Sequence, residues 1–525
     1  MKRWKPPVET TRKEQLLLKR LTRTKKLFAF LRLHRHELFN DEFQAELEGM
    51  YRDTGAGCEA LSPALLCMVS LLQAYTSTSD AEAVELTVVD ARWQMVLDCL
   101  GADSPLMSQG SLPAFRTRLM QAGLDRRLLE RTVELAKQTK EFDWKKLPKE
   151  LRVAVDSRPF EGAGRVEDTI NLLGHAARKI VALVAMLSKL PIETVAKQAG
   201  IPLAASSSTK TALDCDWSDS AQRADALVSL VVQLDSLHGY LDRMHLAAEV
   251  SIAPYVEAIE QVLAQDTEQD DQGSIRIIRG VAEDRRVSIE DPEMRHGRKS
   301  KSKRFNGYKQ HIATDLDTTL ILACAVTPAN RPEEEATPDL QADLQAQSTK
   351  LARLYVDRGY INSSLVDDAG DSGAEIICKP WRIQVGKPNL FKKTDFKLDM
   401  RSHTITCPAG QTESFEPGDV VEFDPDVCGP CPLRANCTHS ANGKGRTVSI
   451  ARDEQLQKKL RVLQSTGAGR SELRQRVGVE HRLAHISARQ GRRARYIGVR
   501  KNVFDLRRAA AIQNLETIQR RKAAA

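Results

Sequence analysis

Three acidic residues stand where side chains could hold a divalent cation. Asp156 ends the run RVAVD and Asp357 ends the run RLYVD. Both runs read as strands, and each aspartate is followed by a polar residue and a turn. Glu480 lies in RQRVGVEHRLAHI, where helical spacing puts Arg476 one turn earlier on the same face. An acid in so basic a helix calls for a partner or a metal. Magnesium takes hard oxygen ligands and keeps several waters, so a protein supplies it with only a few carboxylates. Two such ions about 4 Å apart support in-line attack on phosphorus. Taken singly, an aspartate after a strand is more often a turn or cap residue. Glu480 alone pairs with Arg476 as readily as it serves chemistry. The combination points to phosphodiester chemistry.

A second cluster is made of thiols. Cys428-Gly429-Pro430-Cys431 is a CxxC knuckle, with Cys437 downstream and Cys407 upstream. Four thiolates suit tetrahedral zinc, and the Gly and Pro residues permit tight turns. His403 and His439 are alternative ligands. Cys58, Cys67, Cys99, Cys215, Cys324 and Cys378 sit mostly among apolar residues and read as small buried hydrophobes. A reducing compartment with one structural zinc site explains this better than a disulfide framework.

The charge pattern adds a polyanionic partner. The net charge of +8 is modest, but residues 295–309 hold seven Lys or Arg and no acid. From Arg452 onward, basic residues outnumber acidic ones by roughly three to one. Clustered cations beside the acidic stretch 331–345 are the footprint of phosphate contact; the alternative is a solvated basic tail. The candidate DNA-binding residues are Arg298, Lys299, Lys301, Lys303 and Arg304 on an arm. Lys309 and His311 lie on the strand beside the site, Arg358 follows the second aspartate, and Arg476, Arg482 and Arg489 lie on the glutamate helix. Arg492 and Arg493 follow that helix, in a patch that continues through Arg495, Arg500 and Lys501.

These residues need elements to position them. A chain of 525 residues is too long for one core. Residues 1–145 read as a helical DNA-binding domain, with helices expected over 12–55, 64–75, 80–100, 111–119 and 125–139. Strands are expected over 151–160, 307–316, 320–326, 352–357 and 375–378. Asp317-Thr318-Thr319 is the turn between the second and third. Helices are expected over 166–190, 219–264, 336–351, 361–369 and 453–525, and a polar loop over 266–303. The division is a mixed α/β catalytic core over 146–382 with a helical insertion at about 162–300, a cysteine-rich zinc-binding insertion over 383–450, and a helical part over 451–525 that completes the core. Acids at the ends of neighbouring strands would meet at one edge of such a sheet. The basic N-terminus does not read as a signal peptide, and no run of about 18 apolar residues is seen. A cytoplasmic, nucleoid-associated location is expected.

Several stretches together resemble bacterial insertion-sequence transposases with a DDE, RNase H-like catalytic domain, and most resemble the 1182 group of insertion sequences. LSPALLCMVSLLQAY and SDAEAVELTVVDARWQ are similar to the group's common N-terminal helical domain. VDSRPFEGAGRVEDTINLLGHAARK, GYKQHIATDLDT, VTPANRPEE and YVDRGY are similar to its catalytic strands, and RVGVEHRLAHI with GVRKNVFDLRRAAAIQNL to its glutamate helix and tail. CPAG and CGPCPLRANCT resemble its cysteine-rich insertion. The resemblance makes Asp156, Asp357 and Glu480 the catalytic triad, holding two Mg2+ or Mn2+ ions. It implies nicking at element ends, transfer of the freed 3′ hydroxyl into target DNA, and a homodimer on paired ends. Many relatives carry Tyr, Arg, Glu and Lys around the glutamate. Here Arg476 and Glu480 match, but Leu473 replaces the Tyr and Ser487 the Lys, which leaves Arg482 and Arg489 as the nearest substitutes.

Overall fold

A computed structural model describes residues 3–51, 60–138, 147, 149–269, 273–382, 390–440 and 443–524. The expected boundaries near 145 and 383 fall outside the described residues, as does Cys58.

The N-terminal region is helical throughout its described residues. Its centre is α1 (Pro63–Thr76), which starts on Pro63 and is apolar all round because other helices surround it. The stretch expected as one helix over 80–100 is two, Asp80–Val89 and Ala91–Leu97. Asp90 breaks it: its extended backbone ends the first helix, and its carboxylate accepts from the amides of Arg92 and Trp93 to cap the second. The region closes with α2 (Asp125–Gln138).

β1 (Leu151–Glu161) enters the main sheet. Val153, Ala154 and Val155 are all fully buried, so both faces of the strand are covered. A helical insertion follows, with α3 (Thr169–Ser188), α4 (Ser220–Arg243) and α5 (Ala253–Asp266) packing around Leu172, Ile180, Leu230, Leu237 and Val262. α3 is long and apolar enough to cross a membrane by length and composition, a feature the sequence reading passed over. In the fold its apolar face is spent on this insertion core.

The expected loop over 266–303 is corrected in two places. Residues 267–269 and 275–277 pair as a short ribbon, and β2 (Arg295–Arg298) pairs with the start of β3 (Arg304–Asp315). The basic arm is therefore a β-hairpin, closed where the Lys299 amide donates to the Lys303 carbonyl. β4 (Ile321–Pro328) returns along β3 after a turn in which Asp315 accepts from the amide and hydroxyl of Thr318 and Thr319 takes a left-handed φ of 63°. α6 (Thr337–Ala346), β5 (Leu351–Tyr355), α7 (Ser364–Asp371) and β6 (Glu375–Ile377) complete the order seen in the sequence.

The sheet runs β6–β5–β1–β3, with β4 and β2 sharing the far edge of β3. β1, β3 and β4 are antiparallel, while β5 and β6 run parallel to β1 and to each other. α6 and α7 pack on one face against Val155, Ala323 and Leu354. α8 (Val477–Gln490) and α9 (Val499–Ala524) cover the other through Val479, Leu483, Leu506 and Ala510. The apolar core continues without a break from this sheet into the N-terminal helices.

α9 is the splice between these regions. Asn514 binds the amide and carbonyl of Ile321 on β4 and donates to Thr132 on α2. Arg507, also on α9, donates to Asp125 of α2 at 2.9 Å and to Asp343 of α6 at 2.8 Å. Both carboxylates are 1 % exposed. Asp343 also accepts from the Cys324 amide, and burial pushes its pKa up to about 6 despite Arg507.

Candidate active site

Strand register brings the two aspartates together. β1 and β5 are parallel with Ala154 opposite Tyr355. Asp156 and Asp357 each follow two residues later, so they sit side by side, Asp156 midway along β1 and Asp357 just beyond the end of β5. α8 crosses this edge, packed on β1 and β3. Gly478 lets it approach, since a Cβ there would meet Leu316 at 2.9 Å. Arg476 precedes α8, and Glu480 lies in its first turn.

The three carboxylates converge on Arg476. Its guanidinium lies 3.0 Å from Asp156, 3.8 Å from Asp357 and 3.1 Å from Glu480. Asp156 is the most buried of the three, 14 % exposed against 49 % and 50 %. Burial raises its pKa; Arg476 and the Ser157 amide oppose this, and Glu480 and Asp357 add to it. Burial also works against the charge on Arg476, but the three carboxylates outweigh it and its pKa is raised. Such a site holds crowded negative charge around one cation. Its donor chemistry fits a hard divalent metal. Among the described residues no three His, Cys, Asp or Glu side chains are gathered closely enough to hold a metal ion. Around the triad, the guanidinium stands between the carboxylates.

The carboxylates open into a cavity of about 760 Å³ with a cationic rim. The hairpin supplies Arg298, Lys299, Lys303 and Arg304 to it, and β3 supplies Lys309. Lys301, on the hairpin turn, is exposed but does not line it. Arg492 reaches the rim because α8 stops at Gly491, whose φ is 79°, and the chain doubles back beside the end of β1. There the Glu161 amide donates to the Arg492 carbonyl and the Ala494 amide to the Glu161 carbonyl. Burial lowers the pKa of Lys309, with Glu333 and Glu335 opposing; its ammonium donates to the Arg331 carbonyl at 2.7 Å.

Other expected DNA contacts lie elsewhere. His311 is fully buried, with its ring nitrogens bonded to the hydroxyls of Tyr360 and Thr327. The reading of His311 as a DNA contact is therefore corrected. Burial holds its pKa down to about 3, so it stays neutral and fixes Tyr360 beneath the Asp357 turn. Arg489 pairs with Glu516 and stacks over Tyr75, which turns it toward the N-terminal helices. Arg493 donates to the carbonyls of Gly162 and Ala163. Arg358 donates to the Pro380 carbonyl, and half-buried Arg482 lies near Arg520. None of Arg358, Arg482, Arg489 and Arg493 lines the cavity. Ser487 does, and Arg492 is the cation on its side of the rim. The sequence reading missed Ser157, Arg158 and Glu333, which also line it. Adjacency to Asp156 was a signal for the first two.

Cys407, Cys428, Cys431 and Cys437 are brought together around one small cavity of about 30 Å³. None of the four is in a disulfide. Short strands over 397–399, 404–406 and 412–414, and a pair over 420–422 and 447–449, pack on Phe396, Ile405, Phe415 and Phe423 to hold them. The pKa of Cys437 is raised by burial and by the three neighbouring thiols, with Arg446 opposing. The thiols, like the carboxylates, are not drawn tightly enough to count as a metal centre. The zinc expected here is therefore not supported by the geometry. His403 lies beside Glu416 and Phe415, and neither it nor His439 lines the cavity.

Residues 281–515 match the family described as a transposase DDE domain. The match takes in Asp357 and Glu480 and begins after Asp156. No curated protein and no solved structure matches the chain.

Proposed function

We propose that this chain is a DDE transposase that cuts DNA at the ends of a mobile element and joins the freed 3′ hydroxyl to target DNA. The observation that carries the reading is the meeting of Asp156, Asp357 and Glu480 at one sheet edge, within a cationic cavity. The strand order supports an RNase H-like core. The three carboxylates are the ligands for Mg2+ or Mn2+, and the bound ions would activate the attacking oxygen and stabilise the leaving one. Arg476, which holds the three carboxylates here, would be the group released to a phosphate if they took up the cations. The hairpin residues Arg298, Lys299, Lys303 and Arg304 grip the backbone on one side, and Lys309 and Arg492 on the other. The N-terminal helices serve end recognition, and two copies act on paired ends, as in the 1182 group.

The test uses purified protein, Mn2+, duplexes covering the DNA on either side of the coding region, and a plasmid target. Joined products are expected, and EDTA removes them. Cleavage without joining would leave only a nuclease.

The four cysteines line one cavity without being drawn tightly around an ion, and the proposal includes a structural zinc that these four thiols would hold. Metal analysis should find one zinc per chain, and Cys431→Ser should lower both zinc content and melting temperature. A chain that contains no zinc and melts unchanged as Cys431→Ser would end the zinc proposal.

A further inference from the structure

We infer that Glu333 is a positioning residue of this site, tying the strand that bears Asp156 to the turn that bears Asp357. It rests on the carboxylate-site reading above. Asp357 lies beyond the last ladder residues of β5, where the register with β1 ends at Ala154 and Tyr355. The spacing of the two aspartates therefore needs a further tie. Glu333 follows β4 and lines the same cavity. One of its carboxylate oxygens accepts from the Ser157 hydroxyl at 2.5 Å. Ser157 is the neighbour of Asp156, and its amide donates to Asp156 at 2.9 Å.

The other oxygen lies against the Asp357 turn. A Cβ on Gly359 would come within 2.2 Å of it. Gly359 has to lack a side chain for Glu333 to reach this place. Tyr360, bonded to buried His311, fixes the floor of the same turn. Glu333 thus touches both aspartate-bearing segments and sits on a third. One oxygen ties by accepting from Ser157 and the other by contact with the turn, so a neutral amide of the same shape should largely replace it.

The experiment is a Mn2+ titration by calorimetry on the full chain, with DNA affinity and melting temperature measured alongside. Glu333→Ala should weaken Mn2+ binding about tenfold, as loss of an outer partner of a metal ligand does. DNA affinity and melting temperature should change little. Glu333→Gln should recover most of the Mn2+ affinity. Gly359→Ala should weaken it like Glu333→Ala, and the double variant should be no worse than either. Unchanged binding in Glu333→Ala overturns the inference. So does Glu333→Gln binding as weakly as Glu333→Ala, since the charge would then act on the metal directly. Asp156→Asn is the control. If it binds Mn2+ like the wild type, the carboxylate-site reading has failed and takes this inference with it. If it loses Mn2+ while Glu333→Ala keeps it, the tie alone has failed.

Discussion

Asp156→Asn is expected to lower DNA cleavage and joining by at least about 10³-fold, or about 4 kcal/mol of barrier, because a metal ligand is lost from the reacting centre. Folding should survive. Asn keeps the shape and the acceptor that the Ser157 amide uses. The ionised carboxylate is disfavoured by burial, and Glu480 and Asp357 repel it. The sign follows from the raised pKa: ionised Asp156 costs stability above its unfolded pKa, and the neutral amide avoids that cost. Loss of the Arg476 ion pair works the other way, so the net change should be within about 1 kcal/mol. A melt of the variant beside its cleavage rate checks both halves. A large fall in melting temperature would make Asp156 structural.

Arg507→Met should be the most damaging change away from the site. It leaves Asp125 and Asp343 buried without the cation between them. Arg500 still reaches Asp125, but nothing replaces the bond to Asp343 among the described contacts. Breaking a buried pair of this kind costs about 3–5 kcal/mol. The loss should be partly repaired by Asp343→Asn, which removes the stranded charge. Denaturant unfolding of the single and double variants measures this. The consequence for function is indirect. α9 holds α2, β4 and α6 together, and α8, which carries Glu480, packs on it.

Much of this was legible in the sequence because strands and charges are local signals. RVAVD and RLYVD announced two strands by alternation, although β1 runs on past Asp156 to Glu161, and the parallel register made Asp156 and Asp357 neighbours. Glu480 was chosen through the resemblance, while its spacing from Arg476 pointed only to the ion pair that is seen. What could not be read were long-range placements. Lys309 and His311 are two apart on one strand, yet one lines the cavity and the other is sealed under it. Arg489 and Arg492 are both exposed-looking cations, and only the turn at Gly491 separates their directions. Glu333 sat at the end of VTPANRPEE, in an acidic stretch, with no role assigned to it. Its place depends on β4 pairing with β3 and on a glycine at 359. The hairpin at 295–304 was hidden because its strands are rich in Arg and Lys, which carry little strand signal.

Where the cation sits can be read from iron-mediated cleavage of the polypeptide. Fe2+ bound in place of Mg2+ should, with ascorbate and peroxide, cut the backbone near its ligands. Fragments ending near residues 156, 357 and 480 are expected, suppressed by excess Mg2+ and lost together in Asp156→Asn. Cuts that fall elsewhere, or that persist in Asp156→Asn, would contradict cation binding at these carboxylates.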